Sequence, residues 1–297
     1  MELLYNHKEL LEHLHNFHYE PLIKEDTPED KCAIVIAHFG STEKRARECA
    51  IEPLNDAVRT RYPKLEVREA YTSRIIMKRL RDRGMPKKSL PEVLHDLANE
   101  GYQAVLVQPS MVIDGVEIES IMRDIHEIRP LFKEIRISTP LLYHPIDFYA
   151  LSDKLPNDFD GTIVYVGHGT YDSSTAQYCM LQHIMDKQGQ DNVIISTIEG
   201  YPDLDDLKDR LAQKESKDVL LRPLMFVAGI HAREDISEDW YEALTEEGYK
   251  VTVETLGLGE RPAVRELYLN KIDFSMNYKA WDIQEKKKIY RSTGEKL

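Results

Sequence analysis

Eight short runs rich in β-branched and other apolar residues, separated by longer amphipathic stretches, restrict this chain to an α/β fold built on parallel sheets. The expected strands are Ala33–Phe39, Glu66–Tyr71, Ala104–Gln108, Glu134–Ser138, Thr162–Gly167, Val193–Ile198, Val219–Arg222 and Val251–Leu256. Helices are expected between them. One runs from Thr42 to about Arg61 and stops at Tyr62-Pro63; another runs from Leu90 to Glu100, with Pro91 in its first turn and Gly101 just beyond its end.

The chain also repeats itself. Ile34-Val-Ile-Ala-His38-Phe-Gly-Ser-Thr is echoed by Ile163-Val-Tyr-Val-Gly-His168-Gly-Thr, and Val105-Leu-Val-Gln-Pro109 by Val219-Leu-Leu-Arg-Pro223. Two similar halves follow, each with a central, mainly parallel sheet flanked by helices. Residues 31–143 form the first lobe and 144–274 the second, with the junction near Tyr143–Pro156. Residues 1–30 are expected to be a helical extension, with a helix from Glu2 to about Phe17, and 275–297 a charged tail carrying Lys286-Lys287-Lys288.

Bulk properties narrow the partners. A formal net charge of −13 over 297 residues disfavours nucleic acid and anionic membranes, and no apolar stretch reaches the roughly 20 residues of a membrane helix. Cys32, Cys49 and Cys179 are odd in number and have no Cys-x-x-Cys spacing, as expected for reduced thiols. The first residues lack the pattern of a secretory signal, so a cytoplasmic protein is expected, a signal-trimmed periplasmic form remaining open. Homo-oligomerisation also remains open. The partner is expected to be a small molecule or a cation.

Ligands of open parallel sheets bind beyond the carboxyl ends of the strands. Three metal-competent side chains fall there in the second half: His168 after Thr162–Gly167, Glu199 after Val193–Ile198, and His231 in the loop after Pro223. Two imidazoles and a carboxylate suit a divalent transition metal and leave coordination positions free for a substrate. Glycines on both sides of His168 would let a planar ligand approach the backbone. Spacing alone leaves the alternative equally open, with His168 a hydrogen-bonded structural residue and Glu199 a cap for the helix expected at Asp203. His38, the repeat partner of His168, is expected to line the same cleft. Gly40-Ser-Thr42 lacks the glycine and lysine spacing of a nucleotide loop, and no Gly-x-Ser-x-Gly elbow is present.

At these residues the sequence resembles the class II chelatases, and within them the anaerobic cobalt chelatases of cobalamin biosynthesis. The resemblance rests on Ala33–Ser41, Ala70–Leu80, Gly101–Pro109, Gly167-His-Gly-Thr170, Glu199-Gly-Tyr-Pro-Asp203, Pro223–Asp235 and Gly257–Arg265, and covers about residues 32–273. It implies a bilobal chelatase that binds a tetrapyrrole between its lobes. His168, Glu199 and His231 would be the metal ligands, and His168 also the proton acceptor. The implied reaction is ATP-independent insertion of Co2+ into sirohydrochlorin or a precorrin-type ring, with no organic cofactor; Fe2+, Ni2+ or Zn2+ would suit the same donors. Substrate contacts are expected from His38, Phe39, Gly40, Arg74, Met111, Gly229 and Arg233, with Lys78 a further cation nearby. Met111 stands where the family usually has a histidine, and His38 where it has a serine-like residue. A haem-binding protein on the same fold, with His38 or Met111 as axial ligand, is the alternative.

Overall fold

A computed structural model describes residues 17–229 and 235–294, so the helix expected before Phe17, and the candidates His231 and Arg233, lie outside the described residues. The strands are β1 (Phe17–Tyr19), β2 (Cys32–His38), β3 (Glu66–Tyr71), β4 (Ala104–Pro109), β5 (Glu134–Ile137), β6 (Thr162–Thr170), β7 (Val193–Gly200), β8 (Asp218–Pro223), β9 (Lys250–Val253) and β10 (Tyr278–Ala280). Each of the eight expected runs is a strand.

The strands form two four-stranded parallel sheets ordered β3-β2-β4-β5 and β7-β6-β8-β9. The orders are identical when β6 is set on β2, β7 on β3, β8 on β4 and β9 on β5. The sequence repeat is therefore a repeat of topology, and His38 and His168 occupy equivalent central strands. Buried runs such as Cys32–His38, apolar on both faces, fit sheets sandwiched between helices.

Local chemistry sets the helix ends. Ser89 caps the helix Leu90–Asn99 in a capping box with Glu92. The helix that follows β2 begins at Lys44, passes through a π-turn at Arg47–Ile51 and continues as Glu52–Arg61. Pro53 lacks an amide hydrogen and crowds the carbonyl four residues back, and the π-turn absorbs that misfit one step earlier.

The helix Pro262–Asn277 buries residues on more than one side, among them Val264, Tyr268, Ile272 and Phe274. Its Tyr268 hydroxyl donates to the carbonyl of Ser110, 3.0 Å away in the first half. One apolar cluster therefore runs through both halves, joining Ile34 and Leu106 to Tyr165 and Ile195. Beyond this helix, the stretch expected as a charged tail forms β10, paired antiparallel with β1, and the helix Ile283–Thr293 capped by Asp282. No helix among the described residues is long and apolar enough to cross a membrane.

Candidate functional site

The carboxyl ends of both sheets face a cleft of about 660 Å³, a volume typical of small-molecule sites. Met111 from the first half and Leu224, Met225, Phe226 and Val227 from the second give it an apolar surface. Its histidines and carboxylates are His38, His168, Glu117, Asp172 and Glu199, and none of the described lining residues is a lysine or arginine. A planar apolar ring and a dication both match that surface.

His168 and Glu199 lie inside their strands rather than just past them, which corrects the expected boundaries. Parallel pairing matches Gly167 with Thr197 and Gly169 with Glu199, passing over His168, and ends at Thr170 with Gly200. Gly169 (φ +88°) and Gly200 (φ +81°) adopt left-handed backbone that other residues rarely take, so the strands stay paired beyond the expected ends. The imidazole of His168 is exposed and the Glu199 side chain half-buried, both on the cleft wall. Neither makes a hydrogen bond or ion pair with another described residue. Capping of the helix Leu204–Leu211 falls to Asp203, whose carboxylate accepts from the amides of Asp205 and Asp206, so Glu199 is not needed there. Among the described residues no three metal-binding side chains converge; His168 and Glu199 both line the cleft, and the third candidate, His231, is outside the described residues.

His38 differs from its repeat partner. It is completely buried, with Nδ1 2.9 Å from the Ser110 hydroxyl and Nε2 2.9 Å from Asn55 Oδ1. Asn55 turns its amide nitrogen to the Glu69 carboxylate at 3.0 Å, so its oxygen faces His38 and Nε2 must carry the proton. Burial also holds the imidazole below its ordinary pKa, keeping it neutral, with Nδ1 accepting from Ser110. Phe226 of the second half stacks on the ring, centroids 5.7 Å apart. His38 thus lines the cleft as a wall, with both nitrogens bonded inside the protein.

Phe39, Gly40 and Met111 line the cleft as expected. Arg74 does not: it is exposed at the start of the helix Arg74–Asp82, with its charge bearing on Asp124. Lys78 is paired with Asp82 at 2.8 Å. Gly229 is the last described residue of its loop, and no described residue lies within 4 Å of where its Cβ would be. Sequence reasoning missed Glu117, which accepts a 2.9 Å hydrogen bond from Thr72, and also Tyr171, Asp172 and Tyr178. Position could have flagged two of them: Glu117 lies in the first turn of the helix after Gly115, and Tyr171 follows the extended end of β6.

The family model described as cobalt chelatase (CbiK) matches residues 32–277. The chain belongs to the cobalt chelatase (CbiK) family. A sirohydrochlorin cobaltochelatase of Salmonella typhimurium is 31% identical over 257 residues, covering 83% of this chain and 97% of that one. Sirohydrochlorin cobaltochelatase CbiKC of Nitratidesulfovibrio vulgaris is 29% identical over 257 residues, covering 82% and 90%. Among solved structures, the sirohydrochlorin chelatase SirB of Bacillus subtilis subspecies spizizenii, in complex with cobalt, superposes with a TM-score of 0.57 at 14% identity, covering 82% of this chain and 95% of that one. SirB from Bacillus subtilis with Fe3+ gives a TM-score of 0.59 at 16% identity, covering 82% and 96%. At such identities the likeness is one of fold, and the bilobal α/β architecture of this chelatase is shared with them.

Proposed function

We propose that this chelatase inserts Co2+ into sirohydrochlorin, with His168, Glu199 and His231 as the ligands that hold the ion before transfer. The observation that carries the reading is that His168 and Glu199, at the ends of the neighbouring strands β6 and β7, both line the one cleft. The names of the Salmonella and Nitratidesulfovibrio relatives support the macrocycle and the metal.

In the reaction two pyrrole N–H bonds break, two protons leave, and bonds form from the ring nitrogens to the ion, with no change of oxidation state. A neutral imidazole serves as a ligand and, once the ion has moved to the ring, as a base for a pyrrole proton. His168 takes that role for one proton, the second passing to water, and Glu199 offsets the charge of the dication. Imidazole and carboxylate donors also accept Fe2+, Ni2+ and Zn2+, so the ligand set favours borderline divalent metals as a class. The apolar surface from Met111 to Val227 receives the ring.

An anaerobic assay with sirohydrochlorin and Co2+, followed by the absorption change on metallation, tests this. His168→Ala is expected to slow metallation at least about 100-fold, the lower end of what a general base contributes. Glu199→Gln and His231→Ala should raise the KM for Co2+. Wild-type rates in all three variants would remove the assigned site.

A further inference from the structure

One side chain touches the backbone on both sides of His168. Tyr178, in the first turn of the helix Ala176–Lys187, is only 2% exposed. Its Cζ lies 2.8 Å from where a Cβ on Gly167 would stand, so the ring occupies the space a side chain there would need. Its hydroxyl oxygen accepts a hydrogen bond from the amide of Gly169 at 3.3 Å. Burial pushes the phenol up to about 12, so the hydroxyl is neutral. Gly169 in turn pairs with Glu199. Tyr178 therefore sits where the direction of His168 and its relation to Glu199 are set.

We infer that Tyr178 is a positioning residue for metal insertion: its hydroxyl fixes the Gly169 peptide and so holds His168 at a set angle to Glu199. The inference rests on the reading of His168 as a metal ligand. The strand pairing holds Gly167 and Gly169 but passes over His168 itself, so the ladder alone leaves the intervening peptide some freedom to rotate. A buried hydroxyl anchored on a helix removes that freedom before the ion arrives. Second-layer groups tune metal affinity in this way, by orienting a ligand without touching the ion.

Tyr178→Phe keeps the ring under Gly167 and deletes only the bond to Gly169. Isothermal titration of the protein with Co2+ alone, without tetrapyrrole, should show its dissociation constant raised roughly 3- to 10-fold, the worth of one hydrogen bond. The KM for sirohydrochlorin should not change. Unchanged Co2+ affinity in Tyr178→Phe overturns the inference. So does an equal rise in the KM for the tetrapyrrole, which would mark a general loosening of the cleft. A His168→Ala control that binds Co2+ like the wild type overturns it as well, since His168 would then not be a ligand. Wild-type protein that binds Co2+ but fails to metallate sirohydrochlorin would break the functional reading alone. The titration would then still decide the role of Tyr178.

Discussion

A methyl group on Gly169 would overlap the carbonyl oxygen of Glu199, and at φ +88° an L side chain is strained even in open space. The glycines around His168 thus answer to the protein as much as to a ligand: Gly167 makes room for Tyr178, and Gly169 lets β6 and β7 stay paired at the two proposed metal ligands. Gly169→Ala is expected to cost at least about 2 kcal/mol, combining left-handed strain with overpacking. Gly229→Ala, with no described residue within 4 Å of its Cβ, should stay within about 0.5 kcal/mol of wild type. Urea denaturation of both variants checks the contrast, and equal midpoints would refute it. At this scale the place of His168 and Glu199 on the cleft was legible because strand ends of a parallel sheet face ligands. The role of His38 was not, since Ser110 and Asn55, which bond its nitrogens, come from just past a different strand and from a helix that no local pattern links to it.

The helix Pro262–Asn277 belongs to the second half by sequence but fastens the first. Its Lys271 is buried against Asp147, Nζ to Oδ2 2.8 Å, and also donates to Thr139 Oγ1 at 3.1 Å. The same carboxylate oxygen accepts the amides of Tyr143 and His144, which fixes the turn where the chain leaves the first half. Burial pushes the lysine down and the aspartate up from their ordinary pKa values, each towards its neutral form, while their mutual attraction opposes the shift. Lys271→Ala should cost about 3–5 kcal/mol, because it leaves a buried carboxylate without its partner. Lys271→Met combined with Asp147→Asn should recover most of that loss, since the amide oxygen can still accept from Tyr143 and His144. Urea unfolding of the single and double variants measures it; a double variant no better than Lys271→Ala would show that the pair's charge is not the issue. The central strands β2, β4, β6 and β8 were legible as elements because their apolar runs are buried on both faces. The bridging task of this helix was not, because burial on several sides erases the one-sided stripe that tells which partner a helix meets.

Taken whole, the molecule is an anion of formal charge −13 whose cleft concentrates the same sign in Glu117, Asp172 and Glu199. Two copies of one sheet order face each other, yet only the second keeps its strand-end histidine open to the cleft. The first has turned its histidine inward and contributes a carboxylate from the helix Val116–Ile128 instead. Duplication therefore supplied the walls, and divergence divided the work between them. Such a field draws in a dication and opposes a polycarboxylate tetrapyrrole, so the two substrates should respond to salt in opposite directions. Between about 20 mM and about 300 mM NaCl, where the screening length falls from roughly 20 Å to under 10 Å, kcat/KM for Co2+ should drop several-fold. Over the same range kcat/KM for sirohydrochlorin should hold level or rise. The two series need only one assay, with each substrate varied at saturation of the other. A tetrapyrrole KM that climbs steeply with salt would instead mean docking of its carboxylates on cations, and would turn attention to Arg233 as their source.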